Sequence, residues 1–201
     1  MREKILTLHS IAGYAMEVAI WKMLCDVCKK LKNGKEKGEE KSCLSPGMIQ
    51  IDGEDFCFVD VSILEEERSM FSAPEIVAEK RGGENAVIWS LGALICYMSS
   101  GHYVFGGRGG VYQQRHPLVG LPVLRKEHEM LTDIVHRCMQ YQPSERITLK
   151  ELEKLSEQGY QKARERGFAR VEENQSVSRR SEERECKQEA NVSVSFWPEE
   201  M

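Results

Sequence analysis

Residues 86–99 read Ala-Val-Ile-Trp-Ser-Leu-Gly-Ala-Leu-Ile-Cys-Tyr-Met-Ser, apolar on nearly every side of a helical wheel. A helix without a polar face has to be enclosed by other elements. This segment therefore predicts a central, buried helix around which the remaining chain packs. Gly101 stands where a left-handed C-terminal cap belongs. The longest uncharged apolar run, Ala86 to Met98, is too short to span a bilayer, so a globular core rather than a membrane span is expected.

Periodicity supplies further helices. Ile11, Tyr14, Ala15, Val18, Leu24, Val27, Cys28 and Leu31 recur at spacings of three and four, predicting an amphipathic helix from about Ile11 to Leu31. Asn33-Gly34 is expected to stop it and to open a solvated loop to Ser42. Two strand-like runs, 48–51 and 56–59, flank Asp52-Gly53 and predict a hairpin. Leu124, His128, Leu131, Ile134, Val135 and Cys138 mark another helix, closed by Pro143, and a short one begins at Thr148 with Leu149, Leu152 and Leu155. Gly106 to Gly110 lacks the Lys-Ser/Thr of a phosphate-binding loop and is read as a flexible surface loop. The expected fold class is mainly α with a small β-hairpin.

Composition changes at one place. No Leu or Ile follows Leu155, while charged and small polar residues become dense. Such a segment buries too little apolar surface to offset its ordering entropy. The expected organisation is a folded domain over residues 5–156 and a largely disordered polar tail over 157–201, with a polar helical extension over 158–173. Val192, Val194, Phe196 and Trp197 alternate with polar residues near its end and form a candidate docking strand. The 28 Lys and Arg against 32 Asp and Glu give a net charge of −4, which excludes a dedicated basic nucleic-acid binder. Seven scattered cysteines do not make a disulfide scaffold and read as the reduced thiols of a cytoplasmic protein. Cys25-x-x-Cys28 lies inside a helical pattern without a second pair, so packed thiols are expected rather than a zinc site. The five histidines show no metal-binding or catalytic spacing and are read as surface or packed residues.

Three motifs occur in an informative order. Ser72-Ala73-Pro74-Glu75 resembles the alanine-proline-glutamate motif that closes the activation segment of protein kinases. Ile88-Trp89-Ser90-Leu91-Gly92 resembles the Trp-Ser-x-Gly stretch of their buried central helix. Arg137-Cys138-Met139 with Pro143-Ser144-Glu145-Arg146-Ile147-Thr148 resembles the segment between the last helices of that lobe. Over about residues 10–156 the chain thus resembles a protein-kinase C-terminal lobe. The resemblance implies a structural ion pair between Glu75 and Arg146, with Pro74, Trp89 and Gly92 as further framework positions.

The same resemblance implies lost chemistry. Ser45 stands at the catalytic-loop lysine, Met48 at the second metal-binding asparagine, and Asp60 is a remnant of the metal-holding pair. No His-Arg-Asp precedes Ser45, and Val87 replaces the aspartate that opens the Trp-Ser-x-Gly stretch. About ten residues before the first expected helix leave no room for an N-terminal lobe. The expected function is a pseudokinase-like, non-catalytic protein-binding scaffold or regulator, similar to the kinase-lobe docking modules of cytoskeletal scaffold proteins. Its expected partner is a protein, docked where an N-terminal lobe would sit. No catalytic residue, cofactor, ATP, nucleic acid or membrane is expected. The alternative is a truncated or split protein kinase whose N-terminal lobe comes from another chain.

Overall fold

A computed structural model describes residues 6–7, 17–36, 41–53, 55–59, 64–79, 82–124 and 129–166. They are mainly helical with a small antiparallel sheet. The chain divides into two units, 1–161 and 162–201; only 162–166 of the second lie among the described residues.

Helix α1 (Glu17–Glu36) buries Ile20, Trp21, Met23, Leu24, Val27 and Cys28. Of the expected stripe, Leu24, Val27 and Cys28 are buried and Val18 and Leu31 half-buried, whereas the buried Ile20, Trp21 and Met23 were not part of it; Ile11, Tyr14 and Ala15 lie outside the described residues. Asn33-Gly34 does not stop it: the helix continues to Glu36, and Gly34 is not among the positive-φ residues. Glycine costs about 1 kcal/mol in a helix, a small penalty beside a stripe of fully buried side chains. The expected loop therefore does not begin at Asn33, and residues 37–40 lie outside the described residues.

The expected hairpin is formed by β2 (Ile49–Asp52) and β3 (Asp55–Phe58), with Ile49 opposite Phe58 and Asp52 opposite Asp55. Gly53 takes φ 60° in the turn, the left-handed conformation that favours glycine. The sheet is larger than a hairpin, because β1 (Leu6–Thr7) adds antiparallel to the other edge of β2. A hairpin leaves that edge of backbone donors and acceptors open, and two residues are enough to cover part of it. Two residues are too few to show a period in sequence.

Helix α2 (Glu65–Phe71) and helix α3 (Pro74–Glu79) were not expected from periodicity. Helix α4 (Glu84–Ser100) is the central helix: every residue from Ala86 to Met98 is buried. Gly101 caps it at φ 73°, its N–H donating to the Tyr97 carbonyl at 2.8 Å. No helix among the described residues is long and apolar enough to cross a membrane.

Only the first part of the glycine-rich segment lies at the surface, with Gly106 and Arg108 exposed; the second part is helical and packed. A 3-10 turn at Val104–Gly107 leads into helix α5 (Gly109–Arg115), and Gly109 and Gly110 are buried. Phe105 itself adopts φ 51°, ψ 34°, which costs a non-glycine residue about 1–2 kcal/mol. Gly110 donates its N–H to the Ser72 carbonyl at 3.0 Å. A Cβ there would stand 2.4 Å from Ser72 O and 2.5 Å from Pro74 N. These are backbone atoms at the start of α3 and cannot rotate away. Gly110→Ala is therefore expected to force α5 from α3 and cost about 1–3 kcal/mol; an unchanged urea midpoint would show that this approach is not tight.

Helix α6 (Glu129–Cys138) packs against α4, burying Leu131, Ile134, Val135 and Cys138. Leu124, expected inside this helix, precedes it and donates its N–H to Thr132 Oγ1 at 3.2 Å. His128 lies outside the described residues. A Cβ on Gly92 would meet Met139 Cγ at 2.6 Å and Cys138 Cβ at 2.9 Å, so α4 and the end of α6 touch through that glycine. The final helix, α7 (149–166), is long rather than short. The Thr148 hydroxyl oxygen caps it by accepting from the Glu151 N–H at 3.2 Å. Position 156, the expected end of the folded domain, falls within it. Beyond Leu155 the helix still buries Ser156 and Gly159, and a Cβ on Gly159 would come within 2.5 Å of the Trp21 ring. That contact extends the packed face past the last leucine.

Candidate functional site

Arg146 follows a 3-10 turn (Pro143–Glu145) in extended backbone, and its side chain has no exposed surface. Its guanidinium meets Glu75 in a two-pronged pair: Nη1 to Oε1 at 2.6 Å and Nη2 to Oε2 at 2.8 Å. The other donors are used as well. Nε reaches the Gln140 carbonyl at 2.9 Å, Nη1 the Asn85 carbonyl at 2.8 Å and Nη2 the Tyr141 carbonyl at 3.2 Å. All five N–H groups that arginine carries thus have acceptors. Pro74 opens α3 at the position where a missing N–H is harmless and places Glu75 in the first turn. One residue joins α3, the start of α4 and the segment after α6.

Trp89 lies next in the interior, fully buried, with Nε1 donating to Gln113 Oε1 at 2.8 Å. Gln113 Nε2 in turn donates to the Met139 carbonyl at 2.9 Å. Ser90 Oγ donates to the Phe71 carbonyl at 2.7 Å and so ties α4 to the end of α2. Sequence reasoning missed Gln113. A glutamine on a short helix carries no periodic signal, although a buried indole N–H demands an acceptor and announces that one exists.

Val87 is 3% exposed, Met48 is half-buried, and Ser45 is buried with no hydrogen-bond partner for its hydroxyl among the described residues. Asp60 lies outside the described residues, as do Val192, Val194, Phe196 and Trp197. A charged cluster not anticipated from sequence lies between α1 and β3. Lys22 Nζ bridges Asp26 at 2.7 Å and Asp55 at 2.5 Å, while Asp26 Oδ2 accepts the Phe56 N–H at 3.0 Å. The hydrogen bond from Lys22, helped by its charge, holds the Asp55 carboxyl below the usual aspartate value. These groups fasten the sheet to α1.

Cys25 and Cys28 are buried along α1, and burial pushes both thiols up. It raises Cys43 and Cys138 too, and Cys96 to about 12. A thiol held protonated is a poor nucleophile and a poor metal ligand. Among the described residues, no group of three or more His, Cys, Asp and Glu is placed to hold a metal ion. His102 and His116 are exposed, and half-buried His136 shares a 3.1 Å hydrogen bond with the Pro122 carbonyl. A cleft of about 550 Å³ is lined by Lys32, Thr148, Lys150, Glu151, Glu153, Lys154 and Glu157. Its charges pair with neighbours, Lys32 with Glu153 at 3.1 Å and Glu151 with Arg137, and Lys29 meets Glu157 at 3.2 Å. The Lys32 and Lys29 pairs hold α7 to α1 and the Arg137 pair holds it to α6, so these carboxylates serve packing.

The best-built polar constellation among the described residues is therefore the Arg146 node with its Trp89–Gln113 neighbour, and its geometry is that of a framework. No protein-family model matches the chain, and no curated protein matches it either.

Proposed function

We propose that this chain is a non-catalytic, protein-kinase-like helical domain that acts as a protein-binding scaffold or regulator. The observation that carries the reading is the Glu75–Arg146 pair, which joins the first and third sequence motifs and is anchored at the start of the helix that bears the second. The same chain has serine, methionine and valine at the positions where the resemblance calls for a lysine, an asparagine and an aspartate. Transfer of a phosphoryl group needs a base near the acceptor hydroxyl and metal ions held by an aspartate and an asparagine. A framework kept without those groups has no means of catalysis but still presents a rigid surface.

The test is a melting experiment with ATP and magnesium, paired with incubation in labelled ATP. A nucleotide present at a hundred times its dissociation constant adds about 2.7 kcal/mol. For a domain of this size that is a rise of roughly 5–11 °C. The expected result is no rise and no label on any added protein. A magnesium-dependent rise would favour the truncated or split kinase instead, and incorporated label would overturn the scaffold reading outright.

A further inference from the structure

The outer face of α5 differs chemically from its inner one. Gly109, Gly110 and Gln113 turn inward, whereas Phe105, Arg108, Tyr112 and His116 form a ladder on the surface. The ring centroids of Phe105 and Tyr112 are 5.6 Å apart, and those of Tyr112 and His116 4.5 Å apart. The Arg108 guanidinium lies 3.9 Å from the centre of the Tyr112 ring. Residues 108, 112, 115 and 116 share one helical face by their spacing, so Arg115 belongs to the same surface.

Neither guanidinium group is neutralised by an ion pair among the described residues, and that of Arg108 is fixed in place. Arg108 Nε donates to the Phe105 carbonyl at 3.1 Å, which fixes its plane over Tyr112. Its Nη groups make no hydrogen bond among the described residues, and exposed Arg115 makes no ion pair among them. The adjoining helix α2 carries Glu65, Glu66 and Glu67, and none of these carboxylates pairs with either arginine; Glu67 instead accepts the Gly47 N–H at 2.9 Å. Phe105 is held against Tyr112 by a left-handed backbone that few phenylalanines adopt.

We infer that this face binds an acidic protein segment. The segment presents two carboxylates to Arg108 and Arg115, with an apolar side chain between them lying on Tyr112. Seven helical residues separate the two arginines by about 10 Å. An extended peptide presents residues i, i+2 and i+4 on one face over about 13 Å, so acidic, apolar and acidic side chains at those positions span the patch within the reach of the long arginine side chains. In a chain of net charge −4, a long polyanion would run onto the acids of α2 and other surfaces. A short acidic segment stays within about one screening length of the patch, roughly 8 Å in physiological salt. This inference rests on reading the chain as a partner-binding domain and does not depend on its catalytic silence.

The test uses the full chain and fluorescence anisotropy with three labelled probes. These are the peptide Gly-Glu-Ser-Leu-Ser-Glu-Gly, its counterpart with glutamine for glutamate, and a single-stranded DNA dodecamer. The acidic peptide is expected to bind at least about five-fold more tightly than either other probe. Arg115→Glu and Arg108→Ala are each expected to weaken it by about five-fold, with the melting temperature of the Arg115 variant unchanged because that side chain is exposed and unpaired. Equal binding of the two peptides, no binding of the acidic one, preference for DNA, or indifference to both substitutions would each overturn the inference. Stabilisation by ATP with the peptide preference intact would remove the non-catalytic reading and leave this surface standing.

Discussion

Arg146→Ala is expected to lower the stability of the domain by about 3–5 kcal/mol, the usual cost of removing one partner from a buried ion pair. At about 2–4 °C per kcal/mol for a domain of this size, the melting temperature falls by roughly 6–20 °C. The cause is less the lost attraction than what is left behind. Glu75 keeps a carboxylate whose side chain is only 19% exposed, and the carbonyls of Asn85, Gln140 and Tyr141 lose their donors. Arg146→Lys keeps the charge but cannot make two parallel bonds to one carboxylate, so it is expected to recover only part of the loss. Glu75→Gln, which retains shape and one acceptor, should fall between native and Arg146→Ala. Calorimetry on the set decides the matter: an Arg146→Ala protein that melts with the native one would show that the node is ornamental.

The second large effect is expected at Trp89. Trp89→Ala removes the largest side chain of the central helix and should cost about 3–5 kcal/mol. Trp89→Phe separates the two contributions of the indole. It keeps most of the volume but leaves Gln113 Oε1 buried without its donor, at a cost of about 1–3 kcal/mol. A Gln113→Leu change in the Trp89→Phe background removes the orphaned acceptor, so the two substitutions should not add. Urea denaturation of the native protein, Trp89→Ala, Trp89→Phe, Gln113→Leu and the double variant reads this out. Equal losses for Trp89→Ala and Trp89→Phe would mean that the hydrogen bond, not the ring, holds α4 in place.

What the sequence disclosed depended on how each element gets its stability. Helix α4 was legible because a helix apolar on all sides has one destination, and α1 because its stripe is long. The pairing of Glu75 with Arg146 was legible only through the order of three motifs, since nothing in their 71-residue separation predicts a contact. Helices α2, α3 and α5, of seven, six and seven residues, were missed. Helices that short are unstable alone and exist here because tertiary contacts hold them. Gly109 and Gly110 looked like a pliable loop because sequence cannot distinguish a glycine chosen for freedom from one chosen for the absence of a side chain. The outer face of α5 was hidden for the same reason: without the helix, Arg108, Tyr112 and Arg115 are merely near one another in a polar stretch.

The flat indole of Trp21 beneath Gly159 has a mechanical corollary. Sliding α7 by one position would bring Gln158 or Tyr160 over the ring, and neither fits a space that excludes even a methyl group. The pair works as a detent, selecting one seating of the last helix out of several that its repeating Leu149, Leu152 and Leu155 would otherwise tolerate.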